Sequence, residues 1–193
     1  LGSYDAYALA KGIGYPMFLV LAKKLCLPYS VLLALLQAVG AWLFVRALSV
    51  RWKNPYGQTL LYLLLLFSPI SLTQLVTQRL YRMAIVPGMV LVVFSGMIGL
   101  TLRKELPLKK QLPWAVLTGM ALAFFWQIRE DSVWILPFIA VMTVWNVGYV
   151  ILALHKKRTG RQLLLQCFIL LLPILLLFGG NMTISAINQV HYG

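Results

Sequence analysis

Apolar runs of membrane-spanning length follow one another along this chain, parted by short clusters of basic residues, and no other feature restricts the fold so far. A helix that crosses a hydrocarbon core of about 30 Å needs about 20 mostly apolar residues. Runs of that kind lie at 31–48, 59–75, 83–102, 114–128, 133–154 and 163–178. A soluble core of 193 residues has no room to hide so many apolar segments. Composition agrees: 11% of the residues are charged, against about 25% in an average soluble domain. Lipid offers no partner for an open backbone, so each segment must bond to itself, which selects helix. The expected fold is all-α: a polytopic transmembrane helical bundle of about six spans, one membrane domain over residues 1–193.

A shorter element precedes the spans. Leu1–Ala10 is short and polar, Gly14–Pro16 is a turn, and Pro16 suits the first turn of a helix that continues through Met17–Ala22 to Lys23 and Lys24. About ten apolar residues cover half a bilayer, so a short interfacial or re-entrant helix is expected there. Asn54-Pro55-Tyr56-Gly57 reads as a turn and Pro69 as a kink or a helix end. Gly96 and Gly99 suit close helix contact, and Gly179-Gly180-Asn181 reads as the end of the last span. The chain opens on Leu1 rather than Met, which is expected of a fragment of a longer membrane protein.

A net charge of +13 would point to nucleic acid if the cations shared one soluble face with exposed aromatics. They sit between apolar runs instead, so no nucleic-acid partner is expected. Eleven of them (Arg46, Arg51, Lys53, Arg103, Lys104, Lys109, Lys110, Lys156, Lys157, Arg158 and Arg161) fall on one side of the alternating spans. The other six (Lys11, Lys23, Lys24, Arg79, Arg82 and Arg129) fall on the opposite side. The richer side should be cytoplasmic. Cys26 and Cys167 are too few and too distant for a disulfide framework or a zinc site. His155 and His191 each lack a second ligand nearby, so no metal-site residues are assigned.

Only four residues are acidic, and two of them stand together in Arg129-Glu130-Asp131. The same outer side receives Asp5 and Lys11 from one segment and Arg79, Tyr81 and Arg82 from another. Cations held at a membrane surface are what grips a lipid-linked phosphate, because charge-assisted bonds strengthen as water is excluded. A carboxylate beside them can serve as general base or orient a divalent cation. Each of these cations and tyrosines, taken singly, also reads as an ordinary interfacial anchor. The paired acids are the part that an anchor in anionic lipid does not need.

The order of these elements resembles the polytopic glycosyltransferases of the GT-C class. Tyr4-Asp5 followed by Lys11-Gly12-Ile13-Gly14-Tyr15-Pro16 and a half-helix is similar to their first external loop. Arg79–Val86 resembles the polar external entry to a later span. Gly119 through Pro137, with Trp126, Arg129-Glu130 and Pro137, is similar to a small-residue helix that ends in a basic-acidic pair. Asn188–Gly193 resembles the passage from membrane half to outer portion. The family's span before the acidic loop is absent here, and no second acid accompanies Asp5.

The resemblance implies transfer of a sugar from a polyprenyl-phosphate donor on the extracytoplasmic face of a bacterial cytoplasmic membrane. Asp5 would be the catalytic base. Lys11, Arg79, Tyr81, Arg82 and Arg129 would bind substrate, with Glu130 and Asp131 holding the arginines or a divalent cation. A transporter or lipid flippase, and a non-catalytic membrane assembly subunit, are the alternatives. A transporter should carry ionisable or broken-helix sites near the bilayer midplane.

Overall fold

The computed structural model describes residues 13–69, 82–128, 130–154 and 159–192. Among these residues every regular element is helical and no strand occurs. The helices are α1 (Gly14–Lys24), α2 (Tyr29–Leu48), α3 (Pro55–Leu66), α4 (Val86–Leu102), α5 (Leu108–Ile128), α6 (Leu136–Leu154) and α7 (Gly160–Tyr192). Single 3-10 turns at Arg82–Ile85 and Glu130–Ile135 lead into α4 and α6.

Local chemistry explains the boundaries. Asn54 caps α3 by accepting from the Tyr56 and Gly57 amides at 3.1 and 3.4 Å, with Pro55 in the first turn. Pro28 holds extended backbone before α2, and Cys26 takes a positive φ of 52° to turn the chain out of α1. α3 stops at Leu66, three residues before Pro69, in keeping with a helix end there. Several boundaries differ from expectation: Gly14–Pro16 and Pro55-Tyr56-Gly57, read as turns, are the first turns of α1 and α3, because Pro fits a first helical turn and Asn54 caps the second. α5 starts at Leu108 instead of Trp114, so Lys109 and Lys110 lie in its first turn rather than in a loop. α7 runs past Gly179-Gly180-Asn181 to Tyr192, because Gly180 packs on Ala123 and Asn181 is held by Gln127.

Four stretches are long and apolar enough to cross a membrane: Tyr29–Leu48, Met83–Leu102, Val133–Leu154 and Gly160–Ile187. The protein is therefore an integral membrane protein with an all-helical bundle. The expected six spans are not all reached. α3 has 12 residues, and α5, at 21 residues, carries Lys109, Lys110, Gln111 and Gln127, which lower its apolarity.

Contacts fix the direction of each helix. α2 and α4 run parallel: Gly40 meets Gly88 and Leu91, and Arg103 after α4 reaches Arg46 and Ala47 at the end of α2. α4 and α5 run antiparallel, with Gly96 against Thr118 and Gly99 against Trp114. The small residues expected to allow close contact do so here. α6 lies parallel to α4, with Phe94 stacked on Phe138 at 4.1 Å and Asn146 donating to Thr101 at 2.8 Å. α7 lies parallel to α5, pairing Gly119 with Pro173 and Leu176. Thus α2, α4 and α6 descend in one direction while α3, α5 and α7 return.

α4 is the hub. Its span is 61% buried, whereas the other three are 28–33% buried. Lipid tails are as apolar as leucine, so α4 is held by packing and hydrogen bonds rather than by escape from water. Met97 and Val93 of α4 meet Leu122, Phe125 and Ile128 of α5 in the larger core, near one end. Leu100, Ala115, Val150 and Leu170 form a second core toward the other.

Candidate functional site at the acidic end

The two ends of the bundle differ in charge. After α2, after α4 and at the starts of α5 and α7 come Arg51, Lys53, Arg103, Lys104, Lys109, Lys110 and Arg161, with Glu105 the lone acid among the described residues there. The opposite end receives the Arg82 turn and the Glu130–Asp131 turn. The α4–α5 register, Gly99 on Trp114 and Gly96 on Thr118, advances in opposite directions along the two helices. Arg82, before α4, and Glu130 and Asp131, after α5, therefore lie toward the same end of this antiparallel pair. Two of the segments singled out from the sequence share one end of the fold.

Further elements close around that end. Gly14 begins α1 so close to Gln127 and Ile128 that a Cβ would lie 2.8 Å from their backbone. α1 turns its Phe18 and Ala22 inward and leaves Met17, Val20 and Leu21 exposed. Tyr15 and Phe18 meet Tyr29 edge to face, at 6.4 and 6.0 Å, which ties α1 to the first turn of α2. Gln127 donates to Asn181 at 2.6 Å, joining α5 and α7 at the same level.

Beside this end an apolar groove of about 440 Å³ opens between α2, α3 and α4. Val86, Pro87, Val90 and Phe94 of α4 form one wall, with Phe44 and Leu65 opposite. Gln37 and Ser68 are its polar lining residues, and the Gln37 amide donates to the Leu65 carbonyl at 2.8 Å and so holds α3 against α2. The groove begins four residues after Arg82 and follows α4 inward for about two turns.

Of the sequence-derived candidates, Asp5, Lys11, Arg79, Tyr81 and Arg129 lie outside the described residues. Arg82, Glu130 and Asp131 are placed by their backbone alone. Among the described residues no three of His, Cys, Asp and Glu gather as metal ligands would.

The basic end holds polar groups that the sequence reading passed over. Arg103, read as a loop cation, is 7% exposed. Its guanidinium donates to the carbonyls of Ala47 (3.2 Å), Gly99 (3.1 Å) and Arg46 (2.9 Å), and lies 4.3 Å from the centre of the Trp114 ring. Burial, with Arg46 nearby, lowers its pKa from the ordinary arginine value. Gln111 and Gln166 are both fully buried, and both donate to the Lys104 carbonyl. They anchor the α4–α5 connection between α5 and α7. The one available signal was glutamine placed within apolar helices, where an amide must find a partner.

No family model matches the chain, and no curated protein or solved structure matches it. The class defined by the fold, an integral helical membrane protein, is what the molecule itself establishes.

Proposed function

We propose that the chain is the membrane core of a glycosyltransferase that moves a sugar from a polyprenyl-phosphate donor to an acceptor on the extracytoplasmic face. The observation that supports this reading best is the apolar groove descending α4 directly behind the Arg82 turn. A lipid-linked phosphate needs cations at the membrane surface and an apolar slot leading away from them. In this reading the tail lies along Val86, Val90 and Phe94, while Arg82, with Lys11, Arg79, Tyr81 and Arg129, holds the phosphate.

As the glycosidic bond to phosphate breaks, negative charge builds on the departing phosphate, and the arginines stabilise that charge more than the ground state. Asp5 takes the proton from the acceptor hydroxyl. Glu130 and Asp131 hold the arginines or a divalent cation in place. The basic end is then cytoplasmic. In this reading α5 crosses as well, returning the chain between the parallel α4 and α6.

The transporter alternative has less support. Among the described residues every Lys, Arg, Asp and Glu lies within about one turn of a helix end or outside a helix, whereas transport sites favour the midplane.

The test is turnover of labelled polyprenyl-phosphate sugars by the purified protein, comparing wild type with Arg82→Ala, Arg129→Ala and Asp5→Ala. Loss of one phosphate donor should lower turnover about 100-fold or more. Unchanged turnover in all three variants removes the site, and no turnover by wild type with any donor removes the reading.

A further inference from the structure

At the basic end, three elements converge on a corner that the transferase reading leaves unused. Lys104, just after α4, places its ammonium 3.8 Å from the centre of the Tyr149 ring and 5.8 Å from that of Trp145, both on α6. Trp145 and Tyr149 stand one turn apart on one face, and Trp145 is 65% exposed on the outside of the bundle. Arg51, exposed in the α2–α3 connection, is the third member. It is close enough to bear electrostatically on both Lys104 and Tyr149.

The charges in this corner do not balance. Arg103 is already spent on three carbonyls and Trp114. Glu105 accepts from the Tyr149 hydroxyl. Burial depresses the Lys104 pKa, Glu105 pulls it back in part, and repulsion from Arg51 adds a smaller depression, so two cations share one acid that Tyr149 also engages. A phosphate between the two cations relieves the repulsion. The exposed Trp145 ring, with the half-buried Tyr149 ring beside it, gives an attached hydrocarbon chain a surface to lie on at headgroup depth.

From the juxtaposition of Arg51, Lys104, Tyr149 and Trp145 we infer that this corner binds the phosphate headgroup of an anionic phospholipid. The lipid adds a further tie between the α2–α3 connection, the α4–α5 connection and α6, beside those that Arg103 and Glu105 already make. Its position does not depend on which side of the membrane the basic end faces, nor on the glycosyltransferase reading.

The test measures bound lipid by native mass spectrometry, and melting temperature, on the purified protein in detergent. The arms are phosphatidylglycerol, phosphatidylcholine and inorganic phosphate. Phosphatidylglycerol should be retained and should raise the melting temperature; the other two should do neither. Each cation near a membrane surface contributes enough that Arg51→Gln should weaken retention about fivefold, and Arg51→Gln with Lys104→Gln about 25-fold. Trp145→Ala should weaken phosphatidylglycerol retention as well. The exposed pair Lys109→Gln with Lys110→Gln keeps wild-type retention and separates a built corner from general surface charge. Arg51→Gln, whose side chain makes no hydrogen bond among the described residues, removes a cation without loosening the fold. Wild-type retention in Arg51→Gln, an equal response to phosphatidylcholine or to inorganic phosphate, or equal loss in the Lys109/Lys110 variant each overturns the proposal.

Discussion

Arg103 does by side chain what a helix C-terminus normally leaves to water. The last carbonyls of a helix lack intrahelical donors, and at the end of α2 two of them are met by one guanidinium from the end of α4. Lysine has no planar fork and cannot reach three acceptors in fixed directions. Arg103→Ala should destabilise the protein by about 2–4 kcal/mol, and Arg103→Lys should recover less than half of that. Chemical denaturation of the purified protein followed by tryptophan fluorescence measures both; a loss below about 0.5 kcal/mol for Arg103→Ala sinks the capping role. Its neighbour gives a pH prediction. Burial lowers the Lys104 pKa, Glu105 raises it in part, and Arg51 lowers it further. The folded chain therefore releases this proton at lower pH than the unfolded chain does. The contribution of Lys104 to stability rises as pH climbs from the folded pKa toward the unfolded value of 10.5. An amine-selective label read by peptide mass spectrometry should modify Lys104 at lower pH in the folded protein than in the denatured one. The reverse order contradicts it.

At the scale of single helices, glycine separates packing from propensity. At Gly96 a Cβ would overlap Thr118, and at Gly99 it would overlap the Trp114 ring. At Gly148 nothing lies within 4 Å. Gly96→Ala and Gly99→Ala should each cost about 1–3 kcal/mol by overpacking. Gly148→Ala should stabilise the protein by about 0.5–1 kcal/mol, because alanine gives up less freedom in a helix. Melting temperatures of the three variants check this together, and a Gly96→Ala protein as stable as wild type removes the close α4–α5 contact. That contact was legible in the sequence, as were the half-helix α1 and the central runs of four spans. Long apolar segments declare themselves by composition alone. The extents of α5 and α7 were not legible. Lys109 and Lys110 look like loop residues until α5 is found to start at Leu108, and Gly179-Gly180 looks like a stop until Ala123 is found against it. Of the candidate site, the sequence disclosed which segments share an end through the alternation of spans. How their side chains meet depends on registers between helices far apart in the chain, which no local pattern encodes.

For the molecule as a whole, direction and charge make a sidedness prediction. Single cysteines replacing Lys53, Lys110 and Arg161 in a version lacking Cys26 and Cys167 should react with an impermeant thiol reagent from one side of sealed vesicles only. A cysteine replacing Asp131 should react from the other. Labelling of all four from the same side contradicts the antiparallel course of α4 and α5. The pairing of α5 with α7 also bears on how the chain is made. α5 presents its buried Gln111 and Thr118, and its Gln127, along a helix less apolar than its neighbours, and the partner that covers Gln111 and Gln127 emerges from the ribosome some fifty residues later. Until α7 arrives, Gln127 lacks the Asn181 acceptor and Gln111, though bonded to the Leu106 and Lys104 carbonyls, lacks the cover of Gln166. Biogenesis must therefore keep α5 near the insertion machinery through the synthesis of α6, and a nascent chain halted after Leu154 should leave α5 extractable by alkali while α4 stays embedded.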